Sequence, residues 1–237
     1  MERLDKVISE SGRLSRSECK RYVKQKRIKV DGVTAKTSDM KVDKELADIR
    51  IDGERLNVKR RVVAILNKPS GYVTSTEDPR DRTVMDLIPE EYRHLGLFPV
   101  GRLDKETEGL LVMTNDGDLA HRLITPKNGV RKVYFALFEG KFEQDDIKAF
   151  RDGIVLKDGQ KCLPADICSY KEGCLILVRE GKYHQVRRMM AARKMKVTYL
   201  ERVMEGDISL HSLERGCFRV LSDEEEILLF KEEKPWF

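Results

Sequence analysis

The sequence predicts an α+β protein: a small N-terminal helix–helix–hairpin module, then a larger body built on a mixed, mostly antiparallel sheet flanked by helices. Three observations carry that prediction. Two short helical patterns and a hairpin signal fit within residues 1–36. A charged stretch from Lys44 to Arg61 then separates them from everything that follows. After Arg61, strand-like and helix-like runs succeed one another without the regular βαβ alternation of a doubly wound fold. The expected domains are residues 1–60 and 61–237.

In the module, Leu4, Val7 and Ile8 recur at i, i+3, i+4, which predicts a short amphipathic helix that Gly12 would end. Ser15-Arg16-Ser17-Glu18 has the S-x-x-E form of a capping box, so a second helix should start there with Cys19, Tyr22 and Val23 on its apolar side. Ile28-Lys29-Val30 alternates like a strand into the tight-turn pair Asp31-Gly32. Asp52-Gly53 marks another turn. In the body, Val62 to Leu66 reads as a buried strand and Asn67 to Gly71 as a loop. Leu110 to Thr114 reads as a strand, and Asp116 to Ile124 as a helix with Leu119, Ala120 and Leu123 inward. Val130 to Phe138, Cys174 to Val178 and Val197 to Val203 read as further strands, and Tyr183 to Arg193 as a helix with Val186, Met189 and Met190 on one side.

Composition narrows the function. The chain has 237 residues, 40% hydrophobic and 37% charged, which is enough for a real core under a densely charged surface. No apolar run approaches a membrane span and the N-terminus lacks a signal-peptide pattern, so a cytoplasmic protein with no membrane partner is expected. Five widely spaced cysteines and four scattered histidines offer neither a disulfide framework nor a zinc knuckle. No G-x-G-x-x-G or P-loop spacing occurs. No metal and no cofactor is therefore expected.

The net charge of +5 is uneven: residues 1–36 hold 11 Lys/Arg against 5 Asp/Glu, leaving the rest of the chain at −1. A basic head on a mildly acidic body suits a polyanion met first through that head. Arg3, Arg13, Arg16, Lys20, Arg21, Lys24, Arg27 and Lys29 are the candidate RNA-binding residues, since a short helix and an adjacent strand can present them as one positive surface to a phosphate backbone. A charge run taken alone is more often a solvated helix face. The run RLDKVISESGRLSRSECKRYVKQKRIKVDG is more specific: it resembles an S4 domain over about residues 1–48. That resemblance implies binding to structured RNA and no chemistry.

The most informative stretch of the body is GRLDKETEGLLVMTNDG, residues 101–117. Read locally it is a polar loop, an apolar strand and a turn into a helix, with Asp104 just ahead of the strand; a surface loop with local ion pairs is the default for such composition. The stretch EGKYHQVRRM (180–189) places Arg187 and Arg188 opposite the apolar side of its helix. In RKVYF (131–135), alternation puts Lys132 and Tyr134 on one face of a strand. Together with Asn67-Lys68-Pro69 and Thr74-Ser75-Thr76, these stretches resemble the RNA pseudouridine synthases, in particular the S4-containing branch that modifies ribosomal RNA. The likeness runs almost the length of the chain.

What the resemblance implies is specific. Asp104 is the catalytic carboxylate. Arg187 is its ion-pair partner, Tyr134 packs against the target uracil, and Arg102 contacts RNA phosphate or fills the gap left by the everted uridine. Where many relatives have arginine before the tyrosine, Lys182 keeps the charge and loses the planar fork. The reaction breaks the N1–C1′ bond of a uridine and joins C5 to C1′. Asp104 as nucleophile at C1′ and Asp104 as base at C2′ both remain open. Thr76-Glu77-Asp78-Pro79 and the segment from His121 to Lys127 look most like the 16S small-subunit enzyme, so 16S rRNA, free or in a pre-ribosomal particle, is the expected partner of a monomeric protein. Three alternatives stand beside this reading: a 23S rRNA synthase, a non-catalytic S4 RNA-binding protein, and a metal-dependent nuclease using Asp104, Glu106 and Glu108.

Overall fold

The computed structural model describes residues 1–44, 46–56 and 61–236. The chain divides into two compact units, Met1–Arg60 and Arg61–Phe237. The boundary expected near Arg60 falls at residues 57–60, outside the described residues, as does Glu45 of the charged stretch.

In the first unit the short strand β1 (Glu2–Arg3) leads into α1 (Leu4–Glu10) and α2 (Arg16–Lys24), followed by β2 (Ile28–Val30), β3 (Val33–Thr34), β4 (Lys41–Val42), β5 (Ile49–Ile51) and β6 (Glu54–Arg55). The capping box forms: the Ser15 side chain accepts from the Glu18 N–H, and Glu18 accepts from the Ser15 N–H at 2.8 Å. Such a cap stabilises a short helix by about 1 kcal/mol. Asp31 and Gly32 both take left-handed φ, +50° and +80°, as do Asp52 and Gly53 at +54° and +86°. Both pairs thus make the primed turns that match strand twist. The sheet runs β3-β2-β5-β6, antiparallel throughout. Its apolar side packs Ile28, Val30, Ile49 and Ile51 against Leu4, Val7, Ile8, Cys19 and Val23 of the helices.

The second unit contains β7 (Val63–Lys68), α3 (Glu90–Arg93), β8 (Phe98–Pro99), β9 (Glu108–Thr114), α4 (Gly117–Ile124), β10 (Lys132–Glu139), α5 (Gln144–Asp152), β11 (Asp166–Tyr170), β12 (Gly173–Val178), α6 (Gln185–Ala192), β13 (Lys196–Glu205), β14 (Ile208–Ser209), β15 (Phe218–Val220) and α7 (Asp223–Leu228). The main path of its sheet is β11-β12-β10-β13-β9-β7-β15. Every pairing is antiparallel except β13 with β9, so the sheet is mixed and mostly antiparallel as expected.

That parallel joint is where the site is built. Gly109 enters it at φ +100°, and a Cβ there would lie 2.2 Å from the Arg202 carbonyl oxygen, so no other residue fits the approach. The two halves of the sheet carry separate cores. Ala136, Ile176 and Val178 pack with Phe150, Met189 and Met190 of α5 and α6. Ala64, Leu66, Leu111 and Met113 pack with Val84, Ile88, Leu97 and Leu103 of the connection between β7 and β9. Tyr134 touches both clusters and marks the seam. On the other side of β7 and β9, Val63, Ile65, Leu110 and Val112 are covered by Leu119 and Leu123 of α4. Among the described residues no helix is long and apolar enough to cross a membrane.

Two element readings need correction. Asn67 and Lys68 belong to β7 rather than to the following loop, because both side chains are buried and used: Asn67 donates to the Leu213 carbonyl at 2.7 Å, and Lys68 is wholly enclosed. Tyr183 and His184 precede α6 rather than opening it, since His184 stands at φ +47°, ψ +35°, a left-handed conformation that no right-handed helix admits.

Candidate active site

Asp104 lies in the loop between β8 and β9, and its neighbours are held from both sides. Thr74, itself buried, donates through Oγ1 to the Leu103 carbonyl at 2.7 Å and accepts from the Leu103 N–H at 3.2 Å. The Thr107 N–H donates to the Asp104 carbonyl at 3.0 Å, closing a turn. Lys68 reaches the same loop from β7. Its ammonium donates to three carbonyls, Pro69 at 3.1 Å, Lys105 at 3.0 Å and Thr107 at 2.8 Å. Burial pushes the Lys68 pKa down to about 8, while Glu106, Glu108 and Asp104 act to raise it. An enclosed lysine with its three donors satisfied by loop backbone fixes the loop's path.

The Asp104 side chain is half-buried, 31% exposed, and His184 Nε2 lies 3.3 Å from its Oδ1. The expected cation beside it was Arg187. In this structure the Arg187 guanidinium instead donates to the Val197 carbonyl at 3.4 Å, one turn into α6, and no Asp104–Arg187 ion pair forms among the described residues. His184, left-handed at the start of α6, occupies the place beside the carboxylate that Arg187 was expected to take. Arg102 is exposed, two residues before Asp104.

Tyr134 is half-buried on β10, directly across from Arg202 on β13 and Ile176 on β12. Burial raises its pKa; the Arg202 guanidinium beside it acts to lower it, and Glu205 and Asp104 add to the rise. Arg202 is enclosed at 2% exposure. Its Nε donates to the Leu110 carbonyl at 2.6 Å and its Nη2 faces Glu205 Oε2 at 3.2 Å. Burial opposes the Arg202 charge, but Glu205 and Tyr134 outweigh that and the group is held charged. Lys132 Nζ stands 3.7 Å from the other Glu205 oxygen. A buried charged network therefore sits under Tyr134, next to the parallel joint.

The three carboxylates of the nuclease alternative diverge. Glu106 accepts from Ser70 Oγ at 2.9 Å; Glu108, the only one within the strand, accepts from Tyr199 at 3.0 Å and pairs with Arg215 at 2.8 Å. Among the described residues no group of three His, Cys, Asp or Glu side chains is arranged to hold a metal ion. Lys68, Thr74, His184 and Arg202 were assigned no role from sequence. Lys68, Thr74 and His184 fall inside the resembling stretches, which was the available signal; Arg202 carried none.

Comparisons with known proteins identify the family. Residues 62–192 match the RNA pseudouridylate synthase family, a span that holds Lys68, Thr74, Asp104, Tyr134 and Arg187. The chain belongs to the RNA pseudouridine synthase family. An S4 domain matches residues 2–47, ahead of it. An uncharacterised RNA pseudouridine synthase of Bacillus subtilis (strain 168) is 39% identical over 96% of this chain and 98% of its own length. The ribosomal small subunit pseudouridine synthase A of Yersinia pestis is 37% identical over 94% of this chain and 96% of its own. A solved pseudouridylate synthase superposes with a TM-score of 0.69 at 31% identity, covering 97% of this chain and all of that one. The synthase aligns over nearly its whole length, both domains included, with these relatives and with the solved structure.

The basic residues of the S4 domain divide into two sets. Arg3 is bound bidentately to Asp5 at 3.0 and 2.7 Å, and Arg27 to Asp52 at 2.6 Å through both nitrogens, with its guanidinium 3.9 Å over the Tyr22 ring. Arg13 pairs with Glu54, and Arg21 lies 3.9 Å from Glu18. Arg16, Lys20 and Lys24 fall at i, i+4, i+8 of α2, so they share one exposed face. Lys29 is exposed on β2. Among the described residues these last four make no ion pair within 4.0 Å.

Proposed function

We propose that the synthase converts a specific uridine of 16S small-subunit rRNA to pseudouridine, with Asp104 as the reacting carboxylate. The observation that carries this is the bracing of the Asp104 loop by Lys68 and Thr74, beside Tyr134 and the start of α6. A carboxylate that must act at one sugar carbon needs its backbone fixed before substrate arrives, because preorganisation lowers the barrier by more than a mobile group could. Tyr134 offers a flat ring at the seam of the two cores, where an everted uracil can rest while it turns. Asp104 acts either at C1′ or on the C2′ proton. Either way the glycosidic electrons pass to N1 and the base rotates; C5 then bonds to C1′ as the Asp104–C1′ bond breaks, or as C2′ regains its proton, and the C5 proton is lost while N1 takes one up. Arg187, bound only weakly to a carbonyl, is a cation close enough in sequence to His184 to join the site when RNA binds. Arg102 and the exposed Arg16, Lys20, Lys24 and Lys29 contact phosphate, with Arg3, Arg13, Arg21 and Arg27 set back by their acidic partners. Everting the base costs roughly a few kcal/mol, which the phosphate contacts offset.

The 16S assignment is supported by the small-subunit relative, whose name states its target. The test is a map of pseudouridines in 16S and 23S rRNA from cells lacking the gene, complemented with wild type or Asp104→Asn. One 16S site should vanish without the gene, return with wild type and stay absent with Asp104→Asn. A lost site in 23S would move the substrate to the large subunit. A site restored by Asp104→Asn would remove Asp104 from the chemistry.

A further inference from the structure

We propose that Tyr183, seated on His184, is a nucleobase-binding platform that stacks the RNA base adjoining the uridine delivered to Asp104. This rests on the reading of Asp104 as the reacting carboxylate.

Tyr183 is 76% exposed, the most exposed Phe, Tyr or Trp side chain among the described residues. One face of its ring is covered: the His184 imidazole stacks on it at 3.9 Å between centroids and 17° between planes. The opposite face is open. His184 in turn stands 3.3 Å from Asp104, so only the two-ring stack separates that open face from the carboxylate. Adjacent nucleotides of a single strand span such a gap.

The turn that holds the rings out is built rather than slack. Glu180 is buried; its Oε1 accepts from the Leu163 N–H at 2.9 Å and from Gln185 Nε2 at 2.9 Å. Gln185, also buried, accepts the Lys182 N–H at 2.9 Å. Arg188 donates to the Tyr183 carbonyl at 3.3 Å. His184 occupies a left-handed conformation that a residue with a Cβ adopts only when its surroundings impose it. Strain and an exposed aromatic both cost free energy in the protein alone. Both find a use when a base closes over the ring. Every base has a π-face, so the platform takes any neighbour of the target. Of the cations on the same segment, Lys182 is paired with Glu180 and Arg188 with Asp158, which leaves Arg187 to favour an anionic strand there.

The test uses the full-length protein and C5-tritiated total rRNA, containing both 16S and 23S, from cells lacking the gene, with tritium release as the readout. Tyr183→Ala should raise KM roughly 10- to 100-fold, the range of one lost base–aromatic stack, and leave kcat near wild type. Tyr183→Phe should match wild type and Tyr183→Leu should behave like Tyr183→Ala, because the π-face matters and not apolar cover. Unchanged kcat/KM in Tyr183→Ala, or a Phe variant as impaired as the Ala variant, overturns the platform. So does a loss confined to kcat, which would mean that Tyr183 acts only through His184. Wild type releasing no tritium removes the synthase reading and the platform with it. Active wild type, inert Asp104→Asn and unimpaired Tyr183→Ala remove the platform alone.

Discussion

Lys68 does at the residue scale what no loop residue could do for itself. The Lys105 and Thr107 carbonyls, just after Asp104, and the neighbouring Pro69 carbonyl converge on one ammonium inside the core. Lys68→Met keeps the volume and leaves those acceptors without their donor, at about 1–3 kcal/mol for each buried group left unsatisfied. Turnover should fall at least tenfold with KM little changed, since the lysine shapes the loop without touching RNA; steady-state kinetics beside a thermal melt separate the two effects. The pH dependence has a defined sign. Below about 8 the ammonium offers three protons; above it, the amine offers two and one carbonyl is released. The Lys68-dependent part of turnover should therefore be present on the acid side and decline as pH rises through about 8. That decline should be missing from the Met variant.

At the scale of elements, the parallel contact between β9 and β13 is the exacting one. The other pairings along the sheet are antiparallel, but here two strands distant in sequence run parallel, with Glu108 opposite Glu201 and Gly109 opposite Arg202. Gly109 brings the backbones close enough for Arg202 to reach the Leu110 carbonyl and support Tyr134. Gly109→Ala meets both a backbone clash and an unfavourable φ. It should destabilise the second unit by more than about 3 kcal/mol, in the upper range for single substitutions, read as an earlier urea midpoint for that unit. Gly117→Ala, with open space at its Cβ, should leave the midpoint nearly unmoved.

For the whole molecule the question is how a basic domain serves a catalytic one. Arg16, Lys20 and Lys24 line one face of α2, and like charges at i, i+4 cost a short helix about 0.2–0.5 kcal/mol per pair. A stripe retained against that cost is suited to phosphate. Changing all three to Gln in the full-length protein should weaken rRNA binding and reduce the slope of log K against log salt by about 2–3, near 0.7–0.9 per phosphate contact. A binding titration across salt concentrations measures it, and an unaltered slope would place the phosphate contacts elsewhere. Changing Arg3 and Arg27, already committed to Asp5 and Asp52, should move the slope less.

Much of this protein was legible in its residues alone. The Ser15–Glu18 cap, the Asp-Gly turns and the inward faces of α1, α2 and α4 follow from local chemistry, because caps, tight turns and helical periodicity depend on neighbours a few positions away. The extended pattern around Asp104 identified the family for the same reason: a long contiguous motif needs no fold to be read. Tertiary structure alone decided which side chains meet. Lys68 read as a loop residue because nothing adjacent reveals that carbonyls 37 and 39 positions later will surround it. Arg202 carried no signal because its partners lie on β9 and β10. His184, rather than Arg187, stands against Asp104, and its left-handed backbone is a conformation that local propensity disfavours and so cannot report.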